Sequence, residues 1–370
     1  MIHRPTLVEI NLAALRHNLS QVRSHTSTEI LAVVKADAYG HGAIPVARTL
    51  ESEGVGFFGV AMLEEGVELR RAGVQTPILV LGGAYPGQEE LFWEYRLIPT
   101  LFSLSGIERM GIEAQRQNEV LPFHLKIDTG MQRLGFSCAE LPSVVSALSR
   151  YPFLRLDGVF THLALADDER SSVTAEQAGR FVTAISILRD SGLTVRYAHL
   201  SNSAALFLHS VAECNLVRPG IALYGGLPAA ELEKTVNLRP VMRFLTRIAS
   251  LKEIPAGCGV SYGHRFRTRR TTRLAAIPVG YGDGLSRSLS GRGDVLVRGT
   301  RVPIAGTICM DWTMLDVTDL PEVREGDLVT LLGRDQGEVI SAEEWAQKLG
   351  TISYEVFCQI GKRVPRVCVG

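Results

Sequence analysis

The sequence carries no excess of charge of either sign, because its 39 lysines and arginines match its 39 aspartates and glutamates. A balanced chain has no broad field that attracts nucleic acid or an anionic membrane, so a small-molecule partner is favoured. Long apolar runs of the kind that cross a bilayer are also absent, and the first residues lack the basic and apolar segments of an export signal. We therefore expect a cytoplasmic protein without a nucleic-acid or membrane partner.

Cysteine is sparse and scattered. The six cysteines include no close pair of the kind that builds zinc sites or redox motifs, so reduced thiols and no metal site are expected. At 370 residues the chain exceeds the usual size of one domain, and we expect two domains.

The first part of the chain, residues 1–232, alternates short β-branched runs with longer amphipathic segments. This alternation is typical of βα units around a parallel sheet, and eight units predict a (β/α)8 barrel of the TIM type, an α/β fold. Chemistry in such barrels lies at the carboxyl ends of the strands. The predicted strands are Ile30–Val34, Gly56–Ala61, Pro77–Leu81, Ile98–Phe102, Pro122–Ile127, Leu156–Thr161, Val195–Leu200 and Leu216–Val217.

The second part, residues 233–370, loses the helical periodicity. Its β-rich runs, separated by glycine and proline turns, predict a mainly β domain. One helix is predicted at Ser341–Leu349, with Ser341 and Glu344 at the spacing of a capping box. The β-rich runs are Phe244–Ile254, Leu274–Val279, Asp294–Val297, Val302–Ala305, Thr313–Val317 and Leu328–Leu332.

Lys35 stands where the first predicted strand ends and a glycine-containing loop begins. A lysine held by a strand and partly desolvated has a lowered pKa and can react with a carbonyl group. Taken alone, a solvated lysine at a strand end is the commoner case. The remainder of the chain favours the reactive lysine.

Arg218-Pro219-Gly220-Ile221 follows the eighth predicted strand. A glycine at that point lets backbone amides approach a phosphate, although it could equally form a simple turn. The first and last strands of a closed barrel are neighbours, so Lys35 and Gly220 should lie close together. A reactive lysine beside a phosphate site suits pyridoxal phosphate, which is the predicted cofactor.

Two further segments place polar groups at strand ends. The seventh strand leads into Ser201, Asn202 and Ser203, which could bind phosphate oxygens or begin a helix with Ser201 or Asn202 as its N-cap. In the fifth strand, Lys126 shares a face with His124 and Asp128. A buried unpaired ammonium is unfavourable, so Lys126 needs either a carboxylate such as Asp128 or a changed chemical state. Nearby, Arg133 could bind a substrate carboxylate or the cofactor phenolate.

Over almost its whole length the sequence resembles the bacterial alanine racemases. The resemblance implies a pyridoxal phosphate-binding barrel and a β domain that includes the first ten residues or so as a strand. It also implies interconversion of L-alanine and D-alanine by a homodimer with shared active sites, supplying D-alanine for peptidoglycan. The resemblance is carried by Glu9-Ile10-Asn11-Leu12, by Val33-Val34-Lys35-Ala36-Asp37-Ala38-Tyr39-Gly40-His41-Gly42, by Ser261-Tyr262-Gly263, by Cys309-Met310-Asp311 and by Ile352-Ser353-Tyr354-Glu355.

Residue roles follow from the same resemblance. Lys35 would hold the cofactor covalently and act as base on one face of the substrate α-carbon, and Tyr262 of the second subunit would act on the other face. Arg218 would donate a hydrogen bond to the cofactor's pyridine nitrogen, which then stays unprotonated and disfavours transamination. Arg133 and Met310 are implied to bind the substrate, Lys126 is implied to be carbamylated, and Tyr281 is implied to line the active-site entrance. The residues implied to bind or flank the cofactor are Tyr39, His162, His199, Ser203, Arg218, Gly220, Ile221 and Tyr354.

Three other interpretations compete with this one. A racemase of serine or of several amino acids is the nearest, because an apolar pocket rejects one added hydroxyl only by about a hundredfold. An amino-acid decarboxylase of the same barrel type is more distant, since Ser261-Tyr262-Gly263 and Cys309-Met310-Asp311 resemble racemase segments. A non-enzymatic carrier of the cofactor would have no use for the β domain.

Overall fold

Eight parallel strands form a barrel in the first part of the chain. A computed structural model describes residues 4–209 and 213–370, and its first strand, β1 (Leu7–Asn11), precedes the barrel. The barrel strands are β2 (Glu29–Val33), β3 (Phe57–Val60), β4 (Ile78–Val80), β5 (Ile98–Leu101), β6 (Leu121–Lys126), β7 (Leu154–Phe160), β8 (Tyr197–His199) and β9 (Leu216–Val217). Each overlaps a predicted strand, and the predicted barrel is confirmed.

The barrel closes between its first and last strands. The strands follow the order β8-β7-β6-β5-β4-β3-β2-β9, and Ile30 of β2 pairs with Val217 of β9. At the seam between β8 and β9, the Asn215 N–H donates to the Ala198 carbonyl at 3.1 Å. Lys35 and Gly220, which follow β2 and β9, are therefore brought to the same rim of the barrel.

Helices cover the outside of the barrel because their apolar residues recur every three or four positions. The helix Leu104–Gln117, for example, begins at the N-cap Ser103, whose side chain accepts a hydrogen bond from Gly106, and buries Ile107 and Met110. The helices around the barrel are Leu12–Ser24, Ala43–Ser52, Leu63–Arg71, Glu89–Glu94, Leu104–Gln117, Leu141–Leu148, Val173–Asp190 and Ser203–Leu208. Across residues 4–209 and 213–370, no helix combines the length and hydrophobicity needed to cross a bilayer.

The second part of the chain is mainly β, as predicted. Its largest sheet has the order β16-β15-β18-β10-β1-β20, with β19 added to β18, and smaller sheets join β11-β14-β17 and β12-β13. These strands are β10 (Met242–Arg247), β11 (Ser250–Ile254), β12 (Gly259–Val260), β13 (Phe266–Arg267), β14 (Thr272–Ile277), β15 (Asp294–Val297), β16 (Thr300–Pro303), β17 (Thr313–Asp316), β18 (Leu328–Asp335), β19 (Glu338–Ile340) and β20 (Arg366–Val369).

Strand β1 lies inside the large sheet of the second part, paired antiparallel with β10 and parallel with β20. Strand β1 is thus held by two strands from the second part of the chain. The division into residues 1–232 and 233–370 stays a prediction.

The predicted β-rich run Phe244–Ile254 forms two strands, because the chain turns at Ile248 and Ala249 and its two halves enter different sheets. The prediction of a capping box at Ser341 and Glu344 was wrong. The helix Ala342–Leu349 does begin at Ser341, whose side chain accepts from the Glu344 N–H at 3.1 Å. The Glu344 carboxylate does not complete a capping box, since it pairs instead with Arg301 and Lys348.

Candidate active site

A cavity of about 220 Å³ opens at the carboxyl ends of the barrel strands. Four cationic side chains face it, and no carboxylate is among its lining residues, so it is suited to a ligand that carries several negative charges. The lining residues are Val33, Lys35, Tyr39, Leu81, Lys126, Arg133, Leu134, Phe160, His162, Asn202, Ser203, Arg218, Gly220, Ile221 and Tyr354.

A groove of about 600 Å³ on the outside of the barrel is larger but chemically different. Its charged lining residues are Glu64, Glu68 and Arg71, so both signs are represented. A choice of active site by volume alone would therefore select this groove and not the strand ends where the cationic residues meet.

Lys35 begins a left-handed helical turn, Lys35–Gly40, directly after β2. The four residues Ala36 to Tyr39 have φ between +52° and +54°, where the sequence had predicted a glycine-rich loop. Left-handed helical backbone is unfavourable for L-residues by about 1–2 kcal/mol each. The turn is therefore strained, and its surroundings must hold it.

The carboxylate of Glu65 provides part of that support. Its Oε1 accepts a hydrogen bond from the Ala36 N–H at 2.6 Å, and its Oε2 accepts one from the Ala61 N–H at 2.6 Å. Glu65 thus ties the turn after β2 to the loop after β3. Glu65 was not predicted from the sequence, because an acidic residue in the first turn of a helix is the only feature that marks it there.

The amine of Lys35 is tuned toward reactivity. Burial lowers its pKa, and the nearby Arg133 guanidinium lowers it further, while Glu65 opposes part of the shift. A lowered pKa increases the fraction of neutral amine at physiological pH. This is the state that a carbonyl-capturing lysine and a general base both need.

Ser203, Gly220 and Tyr39 form a cradle in the same cavity as Lys35. The Ser203 Oγ accepts hydrogen bonds from the backbone N–H groups of Gly220 at 2.9 Å and Ala222 at 3.4 Å, which leaves its own proton for a ligand oxygen. A Cβ at Gly220 would lie 2.5 Å from the Tyr39 hydroxyl oxygen. The cradle therefore fits a phosphate group and excludes any side chain at 220. Asn202, one of the two predicted N-caps, accepts from the Ala205 N–H.

We expect Gly220→Ala to weaken pyridoxal phosphate binding by about tenfold or more, because the added methyl group must displace the Tyr39 hydroxyl. Titration of the cofactor-free protein, followed by absorbance, measures the effect. Gly179→Ala is the matched control, since a Cβ there meets nothing within 4 Å. Equal affinities for the two variants would contradict the cradle.

Arg218 is buried and is bound by neutral acceptors. Its guanidinium donates to His199 Nδ1 at 3.0 Å, to the Thr161 carbonyl at 2.8 Å and to the Leu200 carbonyl at 3.1 Å. Burial lowers the pKa of Arg218 to about 10, so it remains cationic at neutral pH. Within the described ranges no carboxylate pairs with it, and its full charge is available to the cavity. His162 lies beside it, with Nδ1 3.4 Å from the guanidinium.

Lys126 is buried, and it does not form the ion pair with Asp128 that was one of the two possibilities from the sequence. Asp128 instead accepts from the backbone N–H groups of Gly130, Gln132 and Arg133. The Lys126 amine lies 4.4 Å from the centre of the Phe160 ring, and burial, then the neighbouring guanidinium groups, lower its pKa well below the usual value. A second, uncompensated amine therefore faces the cavity.

Tyr354 and Tyr39 close one side of the cavity, with ring centres 5.9 Å apart. Burial raises the pKa of Tyr354 to about 12, and it also raises the pKa of Tyr39. Both phenols therefore stay protonated and can donate hydrogen bonds. Tyr224, which the sequence analysis missed, packs on Tyr39 and donates to the Val33 carbonyl at 2.9 Å, fixing the end of β2.

Tyr262, Tyr281 and Met310 do not line the cavity. They lie on the surface of the β domain, where their side chains are 71%, 42% and 53% exposed. Hydrogen bonds connect their loops: the Tyr281 N–H donates to the Cys309 carbonyl, and the Thr307 hydroxyl donates to the Tyr262 carbonyl. Together with the exposed Trp312, they form an apolar surface, here called the tyrosine face.

The barrel, the lysine and the phosphate cradle define a pyridoxal phosphate-dependent enzyme of the barrel type. Two family models match the chain: alanine racemase, N-terminal domain, over residues 10–228, and alanine racemase, C-terminal domain, over residues 241–368. The chain therefore belongs to the alanine racemase family. It is an isomerase that interconverts L-alanine and D-alanine with pyridoxal phosphate as cofactor, and the resemblance found in the sequence is confirmed.

Individual relatives agree over their full lengths. An alanine racemase of Geobacter sulfurreducens is 49% identical, with 99% of this chain and 98% of that protein covered. The structure of alanine racemase from Bacillus anthracis with bound L-Ala-P matches with a TM-score of 0.94 at 37% identity, covering 100% of this chain and 96% of that one. The structure from Bartonella henselae with covalently bound pyridoxal phosphate has a TM-score of 0.89 at 32% identity and covers 99% of both chains.

Proposed function

We propose that the chain works as a homodimer in which Lys35 of one subunit and Tyr262 of the other act on opposite faces of the alanine α-carbon. The observation that supports this most directly is the separation of the two groups. Lys35 lines the cavity, whereas Tyr262 is 71% exposed on the tyrosine face of its own chain. A second subunit can bring that exposed phenol to the cavity mouth.

The phenols and the His162 imidazole within the cavity are poor candidates for the second base. The phenols of Tyr39 and Tyr354 have raised pKa values and keep their protons. Burial and the Arg218 charge lower the pKa of His162 to about 2, so it is a weak proton acceptor. These properties favour a base that comes from outside the cavity.

The two bases divide the work between the faces of the substrate. Pyridoxal phosphate, when bound, supplies the electron withdrawal that acidifies the α-proton. Lys35 removes or returns a proton at one face, and Tyr262 does so at the other, with the roles exchanged for the reverse reaction. Because the donor and the acceptor lie on opposite faces, each turnover inverts the configuration.

The remaining residues bind and orient. Arg133 holds the substrate carboxylate, assisted by the Met310 backbone amide of the second subunit, and Tyr281 lines the entrance. Arg218 would donate a hydrogen bond to the pyridine nitrogen and retain its own proton, which would leave that nitrogen unprotonated and suppress transamination. Tyr39, Ser203, Tyr354 and the backbone amides of Gly220 and Ile221 would hold the cofactor phosphate, His162 would lie against the cofactor ring, and His199 would orient Arg218.

The tyrosine face is the proposed dimer contact. Its four exposed apolar side chains, Tyr262, Tyr281, Met310 and Trp312, would be shielded from water by the second subunit. In the cytoplasm, the resulting dimer would supply D-alanine for peptidoglycan.

Lys126 is proposed to carry a carbamate. Addition of carbon dioxide to its neutral amine, with loss of one amine proton, would place an anion beside Arg133 and Arg218 and so offset the positive charge of the cavity. We expect 13C-bicarbonate to give a protein-bound carbamate signal in the NMR spectrum of the wild type. The signal should be missing in Lys126→Ala; its persistence there would assign the modification elsewhere.

The reaction is tested with L-alanine in deuterated water. The expected result is loss of optical activity together with deuterium at the α-carbon, and a faster reaction with alanine than with serine at equal concentration. Release of carbon dioxide would indicate the decarboxylase, and absence of exchange would indicate a carrier.

Specificity for alanine over serine is assigned to Tyr354, whose half-buried ring lines the cavity. We expect Tyr354→Asn to raise serine turnover relative to alanine by about tenfold, because the smaller amide makes room for the hydroxymethyl group and can hydrogen-bond to it. Tyr354→Phe keeps the ring and should keep the wild-type ratio. An unchanged ratio in the Asn variant would remove Tyr354 from the specificity argument.

A further inference from the structure

Three buried side chains form a hydrogen-bonded row inside the barrel. The Arg218 guanidinium contacts His199 Nδ1 at 3.0 Å, and His199 Nε2 contacts His124 Nδ1 at 2.8 Å. His124 and His199 are fully buried, and Arg218 is 4% exposed. The row leads from the cavity into the interior of the barrel, and its last member, His124, does not line the cavity.

The chemistry of arginine fixes the protonation of His199. A guanidinium nitrogen donates hydrogen bonds and does not accept them, so His199 Nδ1 must present its lone pair to Arg218. The only proton on neutral His199 is therefore on Nε2, and it points at His124. A cationic His199 is excluded because its Nδ1 proton would face the Arg218 donor.

His124 is fixed in the same way. Its Nδ1 must accept the proton of His199 Nε2, so its own proton is on Nε2. Burial, then the Arg218 charge, lower the pKa of His124 to about 3, which is consistent with the neutral ring. His124 Nε2 has no acceptor among the described residues.

An unpartnered buried donor is unfavourable by about 1–3 kcal/mol, so an apolar residue would serve better if position 124 only filled space. The neighbouring strands also accommodate the His124 ring. A Cβ at Gly158 of β7 would lie 2.5 Å from His124 Cε1, so this strand approaches closely only because it carries glycine there. The Tyr197 ring of β8 is stacked with the His124 ring, with centres 6.1 Å apart.

We propose that His124 is a positioning residue for Arg218. Its Nδ1 holds the His199 Nε2 proton, and this keeps the His199 Nδ1 lone pair aimed at the guanidinium. Without that acceptor, the His199 proton is buried and unpaired, and the ring gains by turning toward another acceptor. Arg218 then loses the partner that aims it at the pyridine nitrogen. The catalytic consequence rests on the proposed function; the hydrogen-bond row does not.

The test uses the full-length protein with cofactor bound, labelled with 15N at histidine. In the wild type, the nitrogen shifts of His199 and His124 should both report a neutral ring protonated at Nε2, unchanged between about pH 6 and 9. His124→Asn keeps an acceptor oxygen near the position of Nδ1, and His199 should keep its tautomer. His124→Leu fills the space without an acceptor, and His199 should show a mixture of tautomers.

Kinetics supply the second measurement. The Leu variant should lose about tenfold to a hundredfold in kcat for alanine, since Arg218 is displaced, while KM changes by less than about threefold. The Asn variant should stay within about threefold of the wild type in both. A merely structural role would reduce the two variants alike and would leave the His199 tautomer unchanged.

Several outcomes would overturn the proposal: a wild-type His199 protonated at Nδ1 or at both nitrogens, an Asn variant that loses the Nε2 tautomer, or equal kcat values for the Leu and Asn variants. If the Leu variant does not fold, the wild-type and Asn spectra decide. If the protein shows the expected tautomers but racemises no amino acid, the proposed function is contradicted and the hydrogen-bond row still stands.

Discussion

Chains carrying Lys35→Ala and chains carrying Tyr262→Ala, each inactive alone, should recover about a quarter of the wild-type activity when they are mixed one to one and exchange subunits. Half of the dimers in such a mixture are heterodimers. If Lys35 and Tyr262 act across the interface, each heterodimer has one centre with both bases and one with neither. A quarter of all centres are then intact.

The two single substitutions should have different effects on activity and on cofactor absorbance. In the proposed mechanism Lys35 is both the attachment point of the cofactor and one base, so we expect Lys35→Ala to lower activity by about 10⁴-fold or more and to change the cofactor absorbance. Tyr262→Ala should reduce racemisation by about 10²- to 10⁴-fold, the usual effect of losing a general base. Its cofactor absorbance should stay close to that of the wild type, because Tyr262 does not line the cavity.

The complementation has two controls. Tyr85→Ala removes a tyrosine that is also exposed, at 59%, but is outside the tyrosine face, and it should leave activity unchanged. Differently tagged chains that co-purify after mixing demonstrate that subunits have exchanged. Activity that stays absent despite exchange would show that both bases act within one chain, and the shared-site proposal would fail.

Asp283→Ala should destabilise the fold by about 3 kcal/mol, because it removes a buried carboxylate that compensates two cations. Asp283 accepts from Arg4 at 2.6 and 2.7 Å, from Arg363 at 2.7 Å and from the Gly280 N–H at 3.0 Å. The guanidinium groups are partly exposed and regain water, so we expect the lower end of the range for a broken buried pair. Urea unfolding at neutral pH measures the change.

The effect of Asp283 should depend on pH with a defined sign. Burial acts to raise its pKa, but the bonds from Arg4, Arg363 and Gly280 outweigh it and hold the pKa below the ordinary 3.8. The stabilisation is fully present above the unfolded-state pKa and is lost as pH falls through the folded-state pKa. The difference between wild type and Asp283→Asn should therefore be constant from about pH 5 to 8 and shrink below about pH 4.

The exposed pair Arg270–Asp319 provides a matched comparison, since its contact is also 2.6 Å but its side chains are 56% and 80% exposed. Asp319→Ala should leave the unfolding midpoint almost unchanged. Asp283→Ala should also lower activity, because Arg363 bonds the Met310 carbonyl as well and so connects Asp283 to the tyrosine face. Equal stability losses for the two variants would contradict the buried network.

The barrel was predictable from sequence because buried parallel strands are continuous apolar runs with recognisable spacing. Strand β9, for example, was predicted with its observed bounds. The cavity was partly predictable for a related reason: residues that follow successive parallel strands must meet at one rim, which placed Lys35 and Gly220 together. Residue-level roles still depended on the family resemblance.

Other features had no local signal. The left-handed turn at Ala36–Tyr39 has no glycine at those four positions, and it persists because distant groups such as Glu65 support it. The hydrogen-bonded row connects Arg218 with His124, two residues that are 94 positions apart in the chain. The break at Ile248 is set by pairing with other strands, not by a proline or glycine at that point.

The place of β1 has a consequence for how the protein is made. Leu7–Asn11 leaves the ribosome before the barrel strands, whereas the partners of this strand, Met242–Arg247 and Arg366–Val369, emerge only after the whole barrel. Contacts between such distant segments form slowly. The β domain that carries Tyr262 is thus completed only after the barrel, so a partly synthesised chain can fold around its lysine before it carries the tyrosine that is proposed as the second base.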